Sequence, residues 1–234
     1  MTPDTLRLFV VSPHFDDAVF SCGELIAANP AAIVCTVFAA PPERDMSTHW
    51  DTRCGFDSAY EALRARTIED DRALAILEAK AARLPFSDSQ YNDTPAAADI
   101  ADVLEKAVRA SNASELLIPL GLGHSDHELV FDACCKVMPR LPGMKWFAYE
   151  EAIYRREPGV VQKRLGDLEQ RGYIATPVPV LERGVGEGSV RRGRYAAMKS
   201  EAVHAYKSHL KASDESGYDD VFAPEHYWSL AIRH

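Results

Sequence analysis

Along the first two thirds of the chain, short apolar runs alternate with longer stretches whose apolar residues recur every three or four positions. Residues 6–11, apolar except for Arg7, read as a buried strand, followed by a helix over 16–29 that Pro30 stops. Residues 32–38 predict a second strand. Over 60–79, Ala62, Leu63, Ile68, Leu74 and Leu77 fall at helical spacing among many charges, as in an amphipathic helix. Residues 82–86 predict a short third strand, and 96–111 a helix with Thr94 as cap and Pro95 as its first residue. A fourth strand is expected at Glu115–Pro119, a helix at 126–138 and a fifth strand at Lys145–Tyr149.

This alternation predicts an α/β fold: a mostly parallel, Rossmann-like sheet, covered by helices on both faces and joined by right-handed crossovers. The expected strand order is 3-2-1-4-5, with the first and fourth strands as neighbours. After Glu150 the pattern loosens. Residues 173–181 predict a strand, 191–211 a helix and 213–220 a mobile segment, before an aromatic close at Tyr227-Trp228. The chain reads as one domain over 1–234, with 151–234 an extension packed on the 1–150 core.

Charge narrows the partners. Lys and Arg number 26 against 35 Asp and Glu, a formal net charge of −9, which argues against nucleic acid. The basic run Arg191–Arg194, with Arg183 upstream, is short and interrupted by Gly193, and reads as a solvated loop before a helix. Five cysteines form an odd set without ordered spacing, so a reducing, cytoplasmic setting is expected, with Cys134 and Cys135 as small core residues. No apolar run approaches membrane-spanning length.

Two segments carry chemistry. Val11-Ser-Pro-His-Phe-Asp-Asp-Ala18 lies where the first strand gives way to a helix, at the sheet edge where open α/β folds bind ligands. His14 and Asp17, three apart across this turn, can converge on one point, while Asp16 projects elsewhere. Leu120-Gly-Leu-Gly-His-Ser-Asp-His127 occupies the same position after the fourth strand, with Gly121 and Gly123 allowing a sharp turn. Neighbouring strands stand about 4.8 Å apart, which would bring His127 beside His14 and Asp17. Crowded carboxylates and imidazoles call for a cation. Three side-chain ligands with one position left open is the arrangement of catalytic zinc, although Fe2+ or another divalent ion also suits a mixed N/O site. Taken singly, Asp16 or Asp17 is equally readable as a helix N-cap, and either histidine as a satisfied polar residue.

Pro-His-Phe-Asp-Asp and Gly-His-Ser-Asp-His resemble the paired PHxDD and HxDH motifs of the PIG-L/LmbE-like deacetylases. Arg66-Thr-Ile-Glu69 is similar to the RxxE of that family's second helix, and Phe147-Ala-Tyr-Glu150 and 199–208 resemble later family patterns. The chain departs from the pattern at Phe15, at Ala18 and at Ser208-His209, where many relatives carry Ser-Gln. The resemblance implies a zinc-dependent amidase that removes an acyl group, usually acetyl, from an amino sugar or related small molecule. It implies metal ligands His14, Asp17 and His127 and a general base at Asp16. It also implies that His124, protonated, stabilises or protonates the transition state, with Asp126 orienting a histidine in the same loop. Arg66, Asp88 and Glu150 are further candidates to meet substrate; an ion pair of Arg66 with Glu69 or Asp70, an Asx-turn at Asp88 and a helix-start role for Glu150 or Glu151 are the plainer alternatives. His49 and Trp50 fall in a polar loop that could form part of a lid, and His204, His209, His226 and His234 read as surface residues.

A nucleotide-binding oxidoreductase would require a glycine-rich turn after the first strand, where this chain has Pro-His-Phe-Asp-Asp. The other alternative is a non-catalytic, metal-containing sugar-binding protein, which would have no need of Asp16 and His124.

Overall fold

The computed structural model describes residues 8–179, 189–212 and 218–233. The strands are β1 (Leu8–Ser12), β2 (Ile33–Thr36), β3 (Lys80–Arg83), β4 (Glu115–Pro119), β5 (Lys145–Tyr149), β6 (Tyr173–Val178) and β7 (Tyr227–Ile232). They form one seven-stranded sheet in the order β3-β2-β1-β4-β5-β7-β6. The first five strands are parallel in the expected order, and the tail adds β7 and β6 antiparallel beyond β5. β7 slots between β5 and β6, so the last strand of the chain is interior to the sheet.

The helices are α1 (Asp17–Ala27), α2 (His49–Cys54), α3 (Ala59–Ile76), α4 (Ala97–Ser111), α5 (Ser125–Val137), α6 (Val160–Gln170), α7 (Ser189–Val203) and α8 (Lys207–Ala212). β1 shows why the apolar runs are continuous. Phe9 and Val11 enter the core beneath α4 and α5, while Leu8 and Val10 enter the one shared with α1, α3 and α7. Successive side chains leave a strand on opposite faces, so a strand covered on both must be apolar throughout.

Several boundaries differ from expectation. The third strand is Lys80–Arg83, not 82–86; it is a largely exposed sheet edge, so no apolar run marks it. α4 starts at Ala97 behind Ala96, leaving Thr94 and Pro95 ahead of the helix. The expected helix over 191–211 is two helices broken at 204–206, where Tyr206 turns inward, 2% exposed, and its hydroxyl meets Phe15 O and Asp70 Oδ1, both at 3.0 Å. The segment expected to be mobile falls partly on 213–217, outside the described residues, as does Arg183; of the rest of it, Tyr218 and Val221 are buried.

The tail is bound to the core by a buried polar clamp. α1 is interrupted at Cys22 (φ −143°, ψ 29°), and the Glu225 carboxylate accepts the freed N–H groups of Glu24 and Leu25 at 2.8 and 3.1 Å. Lys199 Nζ at 2.9 Å and the Tyr227 hydroxyl at 2.5 Å complete its shell. All five cysteines are buried thiols. Among the described residues no helix is long and apolar enough to cross a membrane.

Candidate metal centre

The loop after β1 is organised by Ser12. Its Oγ accepts the Ala18 N–H at 3.0 Å and donates to His14 O at 2.5 Å, which satisfies the start of α1. Asp16 stands at the N-cap position, yet its side chain makes no capping bond. Asp17 turns back over the loop instead. Its Oδ2 accepts the His14 N–H at 2.8 Å and lies 3.1 Å from His14 Nδ1 and 3.2 Å from His127 Nε2.

The loop after β4 is held from behind. Glu151, 1% exposed, accepts the N–H groups of Gly121 and Leu122 at 2.7 and 2.9 Å, and Arg164 Nε donates to Leu120 O at 2.8 Å. Both glycines are needed. Gly121 (φ +85°) and Gly123 (φ +68°) occupy the left-handed region, and a Cβ on Gly123 would lie 2.3 Å from the Tyr154 ring. The turn delivers His124 to the N-cap of α5 and His127 into its first turn.

Donor atoms of His14, Asp17 and His127 all lie within 4.8 Å of one another. Ligands around a tetrahedral ion with bonds of about 2.0–2.1 Å stand about 3.3 Å apart, close to the spacing of Asp17 from both ring nitrogens. The far side of each ring also fits. His14 Nε2 lies 3.1 Å from Asp126 Oδ2, and His127 Nδ1 lies 3.5 Å from Glu151 Oε1. At His14 the carboxylate on the nitrogen that faces away fixes the tautomer that offers the other nitrogen to a metal, whereas buried His127 Nδ1 has Glu151 nearby without a hydrogen bond. Charge agrees as well. Burial would lower the His14 and His127 pKa values, but Asp88, Asp126 and Asp17 raise the first well above normal, and Asp17 and Glu151 raise the second to about 9. The surrounding carboxylates favour positive charge at this point, which a divalent cation supplies without those protons. The three side chains form a His/Asp triad able to bind a metal.

A cavity of about 430 Å3 is lined by His14 and Asp17 of the triad, with His127 buried behind them. Asp16, His124, Arg66 and Asp88 also line it and lie outside the triad. Arg66 pairs with buried Asp51 at 2.8 Å, not with Glu69 or Asp70. Asp88 makes the Asx-turn, accepting the Gln90 N–H at 3.0 Å, and also lies 3.8 Å from His14 Nε2.

Three expectations need correction. Asp126 does not orient His124: its carboxylate reaches across to His14 and takes the Ser89 hydroxyl at 3.0 Å. His124 instead caps α5, its Nδ1 accepting the Asp126 N–H at 3.2 Å. Burial, with His14 and His127 nearby, lowers its pKa, and because Nδ1 accepts, a proton on the neutral ring would sit on Nε2. Glu150 does not face the cavity. It accepts from Trp228 Nε1 at 2.9 Å and meets His226 Nδ1 at 3.1 Å, because β7 lies where the sequence pattern showed no neighbour. His209 is not a surface residue: it lines the cavity, and its Nδ1 is 2.7 Å from Asp16 Oδ2. His204 and His226 are exposed as expected, and His234 lies outside the described residues.

Sequence reasoning missed Tyr154 and Tyr206, which wall the cavity, and the role of Glu151 behind His127. The Gly-x-Gly turn gave a hint, since two left-handed glycines require something to receive the N–H groups between them. Trp50, expected in a lid loop, lines the cavity from a short helix capped by Thr48.

The chain belongs to the PIG-L family: the family model described as GlcNAc-PI de-N-acetylase matches residues 9–138. It is 32% identical over 187 residues to 2'-N-acetylparomamine deacetylase of Streptomyces fradiae, covering 72% of this chain and 64% of that protein. The chain thus spans just under two thirds of that relative's length. Among solved structures it resembles a triple mutant of a deacetylase of the teicoplanin biosynthetic pathway, with TM-score 0.78 and 21% identity over 97% of this chain and 98% of the other. A zinc-inhibited form of the teicoplanin deacetylase aligns with TM-score 0.77 at 21% identity, with the same coverage. At this identity the likeness establishes the fold.

Proposed function

We propose that this protein is a zinc-dependent N-deacylase, removing an acetyl group from the amine of an N-acetylated sugar or of a small molecule carrying one. The reading is carried by the meeting of His14, Asp17 and His127 within 4.8 Å, with His14 and Asp17 lining a cavity and Asp16 on its wall outside the ligand set. Family membership and the paromamine deacetylase relative support the chemistry. The substrates named for the relatives support a sugar amide.

When bound, zinc supplies a Lewis acid that makes water nucleophilic near neutral pH. Asp16 takes the proton of the attacking water as the carbon–oxygen bond forms. His124 either donates a hydrogen bond through Nε2–H to the carbonyl oxygen, with Asp16 passing its acquired proton to the amine as the carbon–nitrogen bond breaks, or, as an imidazolium, gives its own proton to that amine. Asp126 and Glu151 hold the two ligand rings from behind. Arg66 and Asp88 stand where hydroxyl or amine groups of a sugar would meet the wall. Fe2+ remains the alternative occupant of the same ligands.

Elemental analysis of the purified protein, with amine release from 2'-N-acetylparomamine, N-acetylglucosamine and an N-acylglucosaminyl glycopeptide, tests the reading. About one metal per chain and chelator-sensitive release from at least one amide are expected. Stoichiometric metal without turnover would point to the sugar-binding alternative, and a chain that takes up no divalent ion would end both.

A further inference from the structure

We propose that His209 is a positioning residue that orients the Asp16 carboxylate by one oxygen and leaves the other for the proton it is to receive. The proposal rests on the reading of Asp16 as base. Asp16 needs such a partner: it caps no helix, and among the described residues its carboxylate has one close polar contact, His209 Nδ1 at 2.7 Å from Oδ2. A carboxylate beside a cavity with no restraint rotates through orientations that point its basic lone pairs away from substrate. A short Nδ1···Oδ2 contact at a site where Asp16 is 12% and His209 26% exposed restricts that freedom.

The imidazole is itself held. Trp50, Phe20 and Tyr218 stand edge-on around it with ring centres at 5.2, 5.4 and 6.0 Å, and interplanar angles of 72°, 74° and 77°. Three rings meeting the imidazole at steep angles leave little room to swing Nδ1 off Asp16. The backbone beneath is fixed at the preceding residue, because Glu69 accepts both the Ser208 N–H at 2.9 Å and the Ser208 hydroxyl at 2.6 Å. At the far end of α8, Arg53 of α2 donates to Ala212 O at 2.6 Å. A six-residue helix could not hold an imidazole by itself; clamps to α2 and α3 do so. The bond needs only a proton on Nδ1, which neutral and charged imidazole can both supply, so the positioning does not depend on ring charge.

The consequences are separable from a structural role. His209→Ala should lower kcat about 10–100-fold while KM and bound metal stay unchanged, the size usual for removing a group that orients a reacting side chain. His209→Gln, whose amide N–H can reach the same oxygen, should recover most of the loss. Introduced into Asp16→Asn, His209→Ala should cost less than about threefold more, because both changes remove the same oriented carboxylate. Equal losses for Ala and Gln, or additive losses in the double variant, would overturn the proposal. An independent readout uses the wild-type protein: imidazole 15N NMR should show His209 protonated at Nδ1, with a shift on Asp16→Asn. A ring protonated only at Nε2, or one indifferent to Asp16, refutes the pairing even in an active enzyme. Pairing intact in a wild-type protein that cleaves no amide overturns the deacylase reading instead, and the role given to His209 with it.

Discussion

The loops that follow β1 and β4 and the short helix α8 face one cavity but reach it by opposite routes. Each loop is local: a strand ends, a helix starts, and a short run, residues 14–17 or 124–127, places the chemistry. α8 is remote, and its contacts with Asp16, Glu69 and Asp70 (the last through Tyr206) all cross from the end of the chain to its first third. The loops therefore supply the atoms that would hold a metal and take the proton of the attacking water. The tail supplies restraint on those atoms. Changes in the loops should remove chemistry outright, whereas changes in their supports should weaken it by degrees.

Asp17→Ala should have the greatest effect. It deletes the one oxygen shared by both imidazoles, so metal content measured by elemental analysis should fall to near zero. Activity should fall by at least the roughly 10⁴-fold that marks the upper end of base effects. Full metal in this variant would dissolve the triad. Asp16→Asn comes next: metal should be retained while kcat drops about 10²–10⁴-fold, and near-normal turnover would strip Asp16 of its role. Glu151→Ala touches the support of the second loop. It leaves the Gly121 and Leu122 N–H groups without their acceptor and His127 without the carboxylate behind it, so metal affinity should weaken about 10–100-fold in a chelator competition. An unchanged affinity would mean the loop holds itself.

Asp70→Asn should have the smallest effect and one that depends on pH. Burial, only partly offset by Arg83, raises the Asp70 carboxyl to about 6. A carboxyl raised above its unfolded value of about 3.9 contributes stability below that pH and loses it as pH climbs through 6. Between pH 4.5 and 7.5 the wild type should therefore lose roughly 1–2 kcal/mol more than Asp70→Asn, read from denaturant midpoints. Equal losses would show that the proton is not held at Asp70.

The order of the first five strands was readable because the interior parallel strands are apolar on both faces and each crossover carries a helical period. β3 was misplaced for the same reason in reverse, since an exposed edge needs no apolar run. His14, Asp17 and His127 were legible as a group because their loops follow strands that the topology makes neighbours. His209 was not, because no spacing links it to either motif. Glu150 and Glu151 illustrate the limit most sharply. They are adjacent in sequence, yet one binds β7 and the other the β4 loop, since consecutive residues leaving a strand part to opposite sides.

By itself the amino-acid sequence determined what local periodicity and local turns encode: the parallel core and the two clusters of ligand-type side chains at its carboxyl edge. Only the tertiary structure decided which carboxylate stands behind which histidine, that His124 caps α5, and that α8 reaches Asp16. Those choices depend on contacts between residues far apart in the chain, and such contacts are set by packing, which leaves no period in the sequence to read.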